Sequence, residues 1–320
     1  MRLYAMMISF VLCILSASSY GDPLKVIFLG ESSSQDDVWL YRVECMRKAA
    51  NEIGADFHFD FAQGDYQRHA QLIEEAVVQG VDAIISPMWD GIPYKQALAG
   101  AVHQGVFVYG MLGVEPMRLL SEDISVSFGY VNADWKAFGR QLAEIAVDYV
   151  KEASRVLWPA EIMNSSYTLD AIAGFRDYFS EQGILIHLEA IEIGFEVETA
   201  ISAIKKRLEN NAKVAAIATS GAIAIKAANR AVKELELAPG EIALIGQVVC
   251  PDSVQGIKEG FMPSGVNLEL TDSSYYAILD AFAVVKLGAA PSHRSVGLTR
   301  VTKNNLESVV PKAIIGAGDL

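Results

Sequence analysis

Three side chains stand where short apolar runs give way to polar loops, and their types could hold a ligand. Trp39 follows "KVIFLG" across the stretch "ESSSQDDV", and Trp89 and Asp90 follow "VDAIISPM". An indole in such a place can offer a ring face to a bound molecule or can cap a core, and a carboxylate can accept from a ligand or from the first turn of a helix. The spacing leaves both readings open for each residue. Trp39 is in line with Val43, Met46, Ala50 and Ile53 at steps of four and three, the pattern of a helix face turned to a core. Asp90 could equally be an N-cap, with Trp89 packed on the helix that follows. The sequence offers no nucleophile–base pair, no phosphate-binding loop and no cysteine–histidine cluster at zinc spacing, and its five histidines are scattered. Binding without catalysis, metal or cofactor is the expectation.

The elements that must position these residues alternate in type. "KVIFLG", "DFHFDFA", "VDAIISPM" and "VFVYGML" are strand-length apolar runs, separated by amphipathic stretches such as "QRHAQLIEEAVVQG" and "PYKQALAGAVHQG". Apolar runs without alternation fit strands buried on both faces of a parallel sheet. The helical stretches open on acidic or polar residues and stop at Gly54, Gly80 and Gly105. The cycle restarts with "ISVSFGY", followed by "DWKAFGRQLAEIAVDYVKE", and runs on through "RVLWPAEIM", "ILIHLEAIEIG", "VAAIATS" and "EIALIGQVV" to a last long helix over Asp272–Leu287. The expected fold class is α/β, with two doubly wound parallel-sheet lobes joined by a multi-strand hinge. The expected division is 22–125 plus 271–290 for the first lobe and 126–270 plus 291–320 for the second. Ligands of open parallel sheets sit at the carboxyl ends of the strands, which is where Trp39, Trp89 and Asp90 fall.

Composition narrows the class further. The chain has 320 residues, 52% of them apolar, and a formal net charge of −13, which disfavours nucleic acid as a partner. Residues 1–21 place Arg2 before an apolar run from Tyr4 to Leu15 and then small residues, as a cleaved secretory signal does. Only Cys45 and Cys250 lie beyond it, too few for a disulfide framework.

The stretches "LYRVECMRKAANEIGADF", "EEAVVQGVDAIISP", "AIAGFRDYF", "AIAIKAANRAVKE", "DSVQGIKEG" and "LTRVTKNN", in this order, resemble the type I periplasmic binding proteins. Within that family "VWLYRVECM", "NADWKAFGRQLAEIA" and "IATSGAIA" are most similar to the TorT-like proteins, which sense trimethylamine N-oxide and signal to a histidine kinase. The resemblance implies a periplasmic receptor that closes on a small molecule in the cleft between its lobes. Its implied partner is the periplasmic domain of a sensor histidine kinase or, alternatively, the permease of an ABC importer for a sugar or another small polar solute. Where sugar-binding members carry charged partners, this chain has Gly110 and Met111, Leu169, Ser220 and Gly221, and Gln247 and Val248. Buried hydroxyls left without partners would each cost about 1–3 kcal/mol. By the same resemblance Tyr130, Trp135 and Glu269 join Trp39, Trp89 and Asp90 as ligand contacts. Aromatic faces with one carboxylate suit a methylated amine, at about 0.5–2 kcal/mol per ring.

Overall fold

The computed structural model describes residues 22–32, 36–88, 92–112, 127–210, 213–311 and 314; the expected signal segment lies outside them. Strands and helices alternate as the sequence pattern predicts. The first lobe opens with β1 (Lys25–Gly30), α1 (Asp37–Ile53), β2 (Asp56–Phe61), α2 (Tyr66–Val78), β3 (Ala83–Pro87), α3 (Ile92–His103), β4 (Phe107–Met111) and β5 (Gly129–Asn132). The second begins with α4 (Trp135–Ala146), β6 (Ser154–Ala160), α5 (Ser166–Glu181), β7 (Ile186–Glu192), α6 (Val197–Asn210), β8 (Val214–Ala218), α7 (Ala222–Glu234), β9 (Ala243–Ile245), α8 (Pro251–Glu259) and β10 (Gly265–Leu268). Helix α9 (Leu270–Leu287), β11 (His293–Ser295), β12 (Leu298–Val301) and the short α10 (Leu306–Val309) complete the chain.

The first sheet has six strands in the order β11-β5-β4-β3-β1-β2, all parallel. The second has four parallel strands in the order β7-β6-β8-β9, and a β10–β12 antiparallel pair continues it through a bridge between Gln247 and Val266. In each sheet the chain starts in the middle and winds outwards both ways, the doubly wound plan. Strands β3 and β4 are buried along their whole length, as strands covered by helices on both faces must be.

The lobe boundary differs from the sequence expectation. Strand β5, which begins at the end of the "ISVSFGY" run assigned above to the second lobe, hydrogen-bonds to β4 with Tyr109 opposite Gly129, and so is the fifth strand of the first sheet. Strand β11, also assigned to the second lobe, pairs with β5 in that same sheet. Helix α9 packs on α1 and on β3, β4 and β5, so it belongs to the first lobe. The first lobe therefore runs to about residue 132 and takes back 270–295, and the chain crosses between lobes near 133, 269 and 296. A β-α unit has the same local pattern whichever sheet accepts its strand, and the pairing partner is a long-range choice.

Caps fix where the helices at the cleft begin. The Asp36 carboxylate accepts the Val38 N–H at 3.0 Å, Asp134 accepts from Ala137 N–H at 2.8 Å, and Ser165 from Thr168 N–H at 3.3 Å. Helices α4 and α5 approach with glycine against backbone: a Cβ on Gly139 would strike the Ala171 carbonyl, and one on Gly174 the Lys136 carbonyl. That contact sets the first helix of the second lobe, and with it Trp135, against its neighbour.

Candidate ligand-binding site

A cavity of about 90 Å³ lies where the carboxyl ends of both sheets face each other. From the first lobe it is walled by Glu31 after β1, Asp36, Val38, Trp39 and Arg42 at the start of α1, Pro87 and Met88 at the end of β3, and Leu112 after β4. From the second come Trp135 and Tyr167 in the first turns of α4 and α5, Glu161 after β6, Phe195 after β7, Ser220, Gly221 and Ala222 after β8, and Gln247 after β9. Each of these loops ends a strand or opens a helix, because parallel connections deliver every loop of one polarity to the same sheet edge.

The wall is both aromatic and charged. Trp39 stacks on Phe28 at 5.3 Å between ring centroids, and the Arg42 guanidinium lies 4.1 Å from its ring centre. Trp135 donates its indole N–H to the Leu112 carbonyl at 3.2 Å, tying the second lobe to the first, and its ring meets Tyr167 at 5.4 Å. Asp36 is fully engaged, one oxygen on Val38 N–H and the other on the Ser32 hydroxyl at 2.7 Å. Glu161 is half engaged: Oε1 accepts the Ala224 N–H at 2.9 Å at the start of α7, and buried Oε2 has no partner. Glu31 Oε2, Arg42 Nε and Nη1, and the Ser220 hydroxyl are likewise buried and unpartnered.

Burial sets the charge states. Loss of water pushes the Glu31 carboxyl up to about 8, reinforced by Asp36 and opposed by Arg42. It raises Glu161 to about 7 against the stabilising N–H groups at the start of α7. Asp36 is raised for the same reason, with its hydrogen bonds from Ser32 and Val38 working the other way. Burial lowers Arg42 to about 10, opposed by Glu31 and Asp36. The cavity thus gathers polar groups whose hydrogen bonds are unmade, and each such group favours a molecule that completes it.

A family model described as a periplasmic binding protein domain matches residues 27–290. The chain belongs to this family. Its members' name implies a periplasmic location, and the two parallel-sheet lobes are the architecture of this periplasmic binding protein's solved relatives. A myo-inositol binding protein from Caulobacter, solved with myo-inositol, is 20% identical with a TM-score of 0.80, over 93% of this chain and 98% of its own. An ABC transporter solute binding protein from Burkholderia graminis, in complex with D-arabinose, is 16% identical with a TM-score of 0.79, over 91% and 100%. A carbohydrate transporter from Acidothermus cellulolyticus, in complex with myo-inositol, is 17% identical with a TM-score of 0.77, over 90% and 97%. No curated protein sequence matches the chain. Among the described residues no helix is long and apolar enough to cross a membrane, and no group of histidine, cysteine and acid side chains could hold a metal ion.

The residues singled out from the sequence separate into three groups. Trp39 and Trp135 line the cavity, and Trp39 is also part of the core through Phe28, so the two readings of its helix face are compatible. Tyr130 and Glu269 do not line it. Tyr130 lies in the middle of β5, where its ring stacks on His293 of β11 at 4.4 Å, while the alternation of the strand buries Val131. Glu269 is an exposed residue at the crossing between lobes, accepting from the Thr299 hydroxyl at 3.0 Å, and is not a buried carboxylate of the cleft. Its place between β10 and α9 turns it towards the return strand β12 because the antiparallel pair ends there. Trp89 and Asp90 lie outside the described residues.

The positions compared with sugar-binding members carry no charged side chain, but charged side chains line the cavity from elsewhere: Glu31, Asp36 and Arg42 in the first lobe and Glu161 in the second. The strand-end rule that found Trp39 points to Glu31, which follows "KVIFLG", and to Glu161, which follows "VLWPA". Arg42 is three residues beyond Trp39 on the same helix, a spacing that puts both on one face. Ser220, Gly221 and Gln247, read as losses, line the cavity. Gly221 has a positive role: a Cβ there would run into the Glu161 carboxylate.

Proposed function

We propose that this protein is the solute receptor of an ABC importer, closing its two lobes on a small, oxygen-rich molecule and presenting the closed form to the permease. The observation that carries the reading is the set of buried, unpartnered donors and acceptors from both lobes around one cavity: Glu31, Arg42, Glu161 and Ser220. A hydroxylated solute satisfies carboxylates and a guanidinium together. It also bridges the lobes, and so favours the closed arrangement by its differential affinity. The similar structures solved with myo-inositol and D-arabinose agree with this class of ligand.

A methylated-amine sensor coupled to a histidine kinase is supported less well. The Trp39 ring that would meet methyl groups is already engaged by Phe28 and by the Arg42 guanidinium, and a trimethylated nitrogen has no N–H for the orphan carboxylate oxygens. The test is thermal shift followed by calorimetry, with pentoses, hexoses, cyclitols, their amino derivatives and trimethylamine N-oxide. Stabilisation by at least one hydroxylated compound and none by trimethylamine N-oxide is expected. Stabilisation by trimethylamine N-oxide alone would reverse the choice.

A further inference from the structure

The cavity is unbalanced in charge. Three carboxylates line it, from Glu31, Asp36 and Glu161, and among the described residues Arg42 is the one lysine or arginine that does. Asp36 has both oxygens occupied by its own chain. The remaining acceptors, Glu31 Oε2 and Glu161 Oε2, come from opposite lobes and are buried without a partner; Glu161 as a residue is only 5% exposed. The unmet donors are Nε and Nη1 of Arg42, 3% exposed, and the Ser220 hydroxyl on the same cavity is able to give or accept. A neutral sugar can reach all of these groups, but it leaves the buried negative charge in place or requires protons to remain on the carboxyls. A cation with N–H donors relieves both costs, since hydrogen bonds between ionised partners are about twice as strong as neutral ones.

We propose that the solute of this cavity is a small hydroxylated amine, such as an amino sugar or aminocyclitol, whose ammonium lies between Glu31 and Glu161 and whose oxygens meet Arg42 and Ser220. This rests on the solute-receptor reading and names its ligand class. The ammonium cannot be exchanged for a quaternary one, because the two acceptors need N–H groups. The groups around the pair include Asp36, Arg42 and the Trp39 indole from α1, the Tyr94 hydroxyl from α3 and the Tyr167 hydroxyl from α5, and Glu31 also borders a smaller cavity with Asp65, Tyr66 and His69 at the start of α2. Burial raises both carboxyls, so at neutral pH Glu31 and a fraction of Glu161 hold a proton in the empty protein, and an arriving ammonium favours the ionised form of each.

Matched pairs decide the matter: D-glucosamine against D-glucose, D-galactosamine against D-galactose, and an inosamine against the corresponding inositol. Each is titrated calorimetrically at neutral pH in phosphate and in MOPS, whose ionisation enthalpies differ and neither of which is a hydroxylated primary amine. The amine of at least one pair should bind about tenfold tighter than its neutral partner or better, with proton release read from the difference between buffers. Glu161→Gln should abolish that preference, and the wild-type comparison within each pair stands by itself if the variant folds poorly. Equal or tighter binding of the neutral members would overturn the ligand class and leave the receptor reading intact. Binding by no member of any pair would overturn both.

Discussion

Replacing Glu161 by glutamine isolates the cost of keeping a carboxyl group at the cavity wall. In the folded protein Oε1 accepts from Ala224 N–H at 2.9 Å, a bond that the glutamine oxygen can keep, while Oε2 has nothing. Burial raises this group from an ordinary 4.5 to about 7. Below the lower value both folded and unfolded chains hold the proton, and the group contributes no pH dependence. Between the two values the unfolded chain ionises while the folded chain stays protonated, so stability falls as pH rises; above about 7 both are ionised and the full penalty applies. A difference of this size is worth about 3 kcal/mol. Urea unfolding of the ligand-free protein, followed by tryptophan fluorescence from about pH 5 to pH 8, should show the variant gaining that amount on the wild type across the range. Some decline should persist in the variant up to higher pH, because Glu31 is raised to about 8 and remains. Parallel stability curves for the two proteins would refute the placement of an ionisable, half-bonded carboxyl group in a dry wall.

Other perturbations test neighbouring parts of the structure. Gly221→Ala puts a methyl group into the Glu161 carboxylate and should weaken ligand binding by about tenfold, the loss of one charge-assisted hydrogen bond, with little change in unfolding. Gly139→Ala drives a methyl group into the Ala171 carbonyl between α4 and α5 and should cost about 3 kcal/mol in chemical denaturation. Asp134→Ala removes the acceptor for Ala137 N–H at the start of α4 and should cost about 1 kcal/mol in the same assay; no loss would mean that another group caps the helix. Glu269→Ala removes an exposed carboxylate and should leave affinity for any ligand found within about twofold; a large loss would return this residue to the site.

What the sequence determined by itself is the series of elements and the general place of the site. Apolar runs such as "AIISP" in β3, acidic caps such as Asp36 and Asp65, and terminal glycines such as Gly54 are local signals, because strand burial, capping and left-handed backbone are settled within a few residues. The rule that ligands lie beyond strand ends brought Trp39 to the cavity, and applied to every strand it also points to Glu31 and Glu161. Only the tertiary structure decided which sheet receives β5 and β11, which way Tyr130 turns, and that Glu269 serves the crossing and not the cleft. It alone brought acids more than a hundred residues apart in sequence, one from each lobe, around a single space. Strand pairing and the convergence of loops are selected by partners distant along the chain. A β-α unit satisfies its own backbone and caps equally well in either lobe, so nothing within it specifies its neighbours.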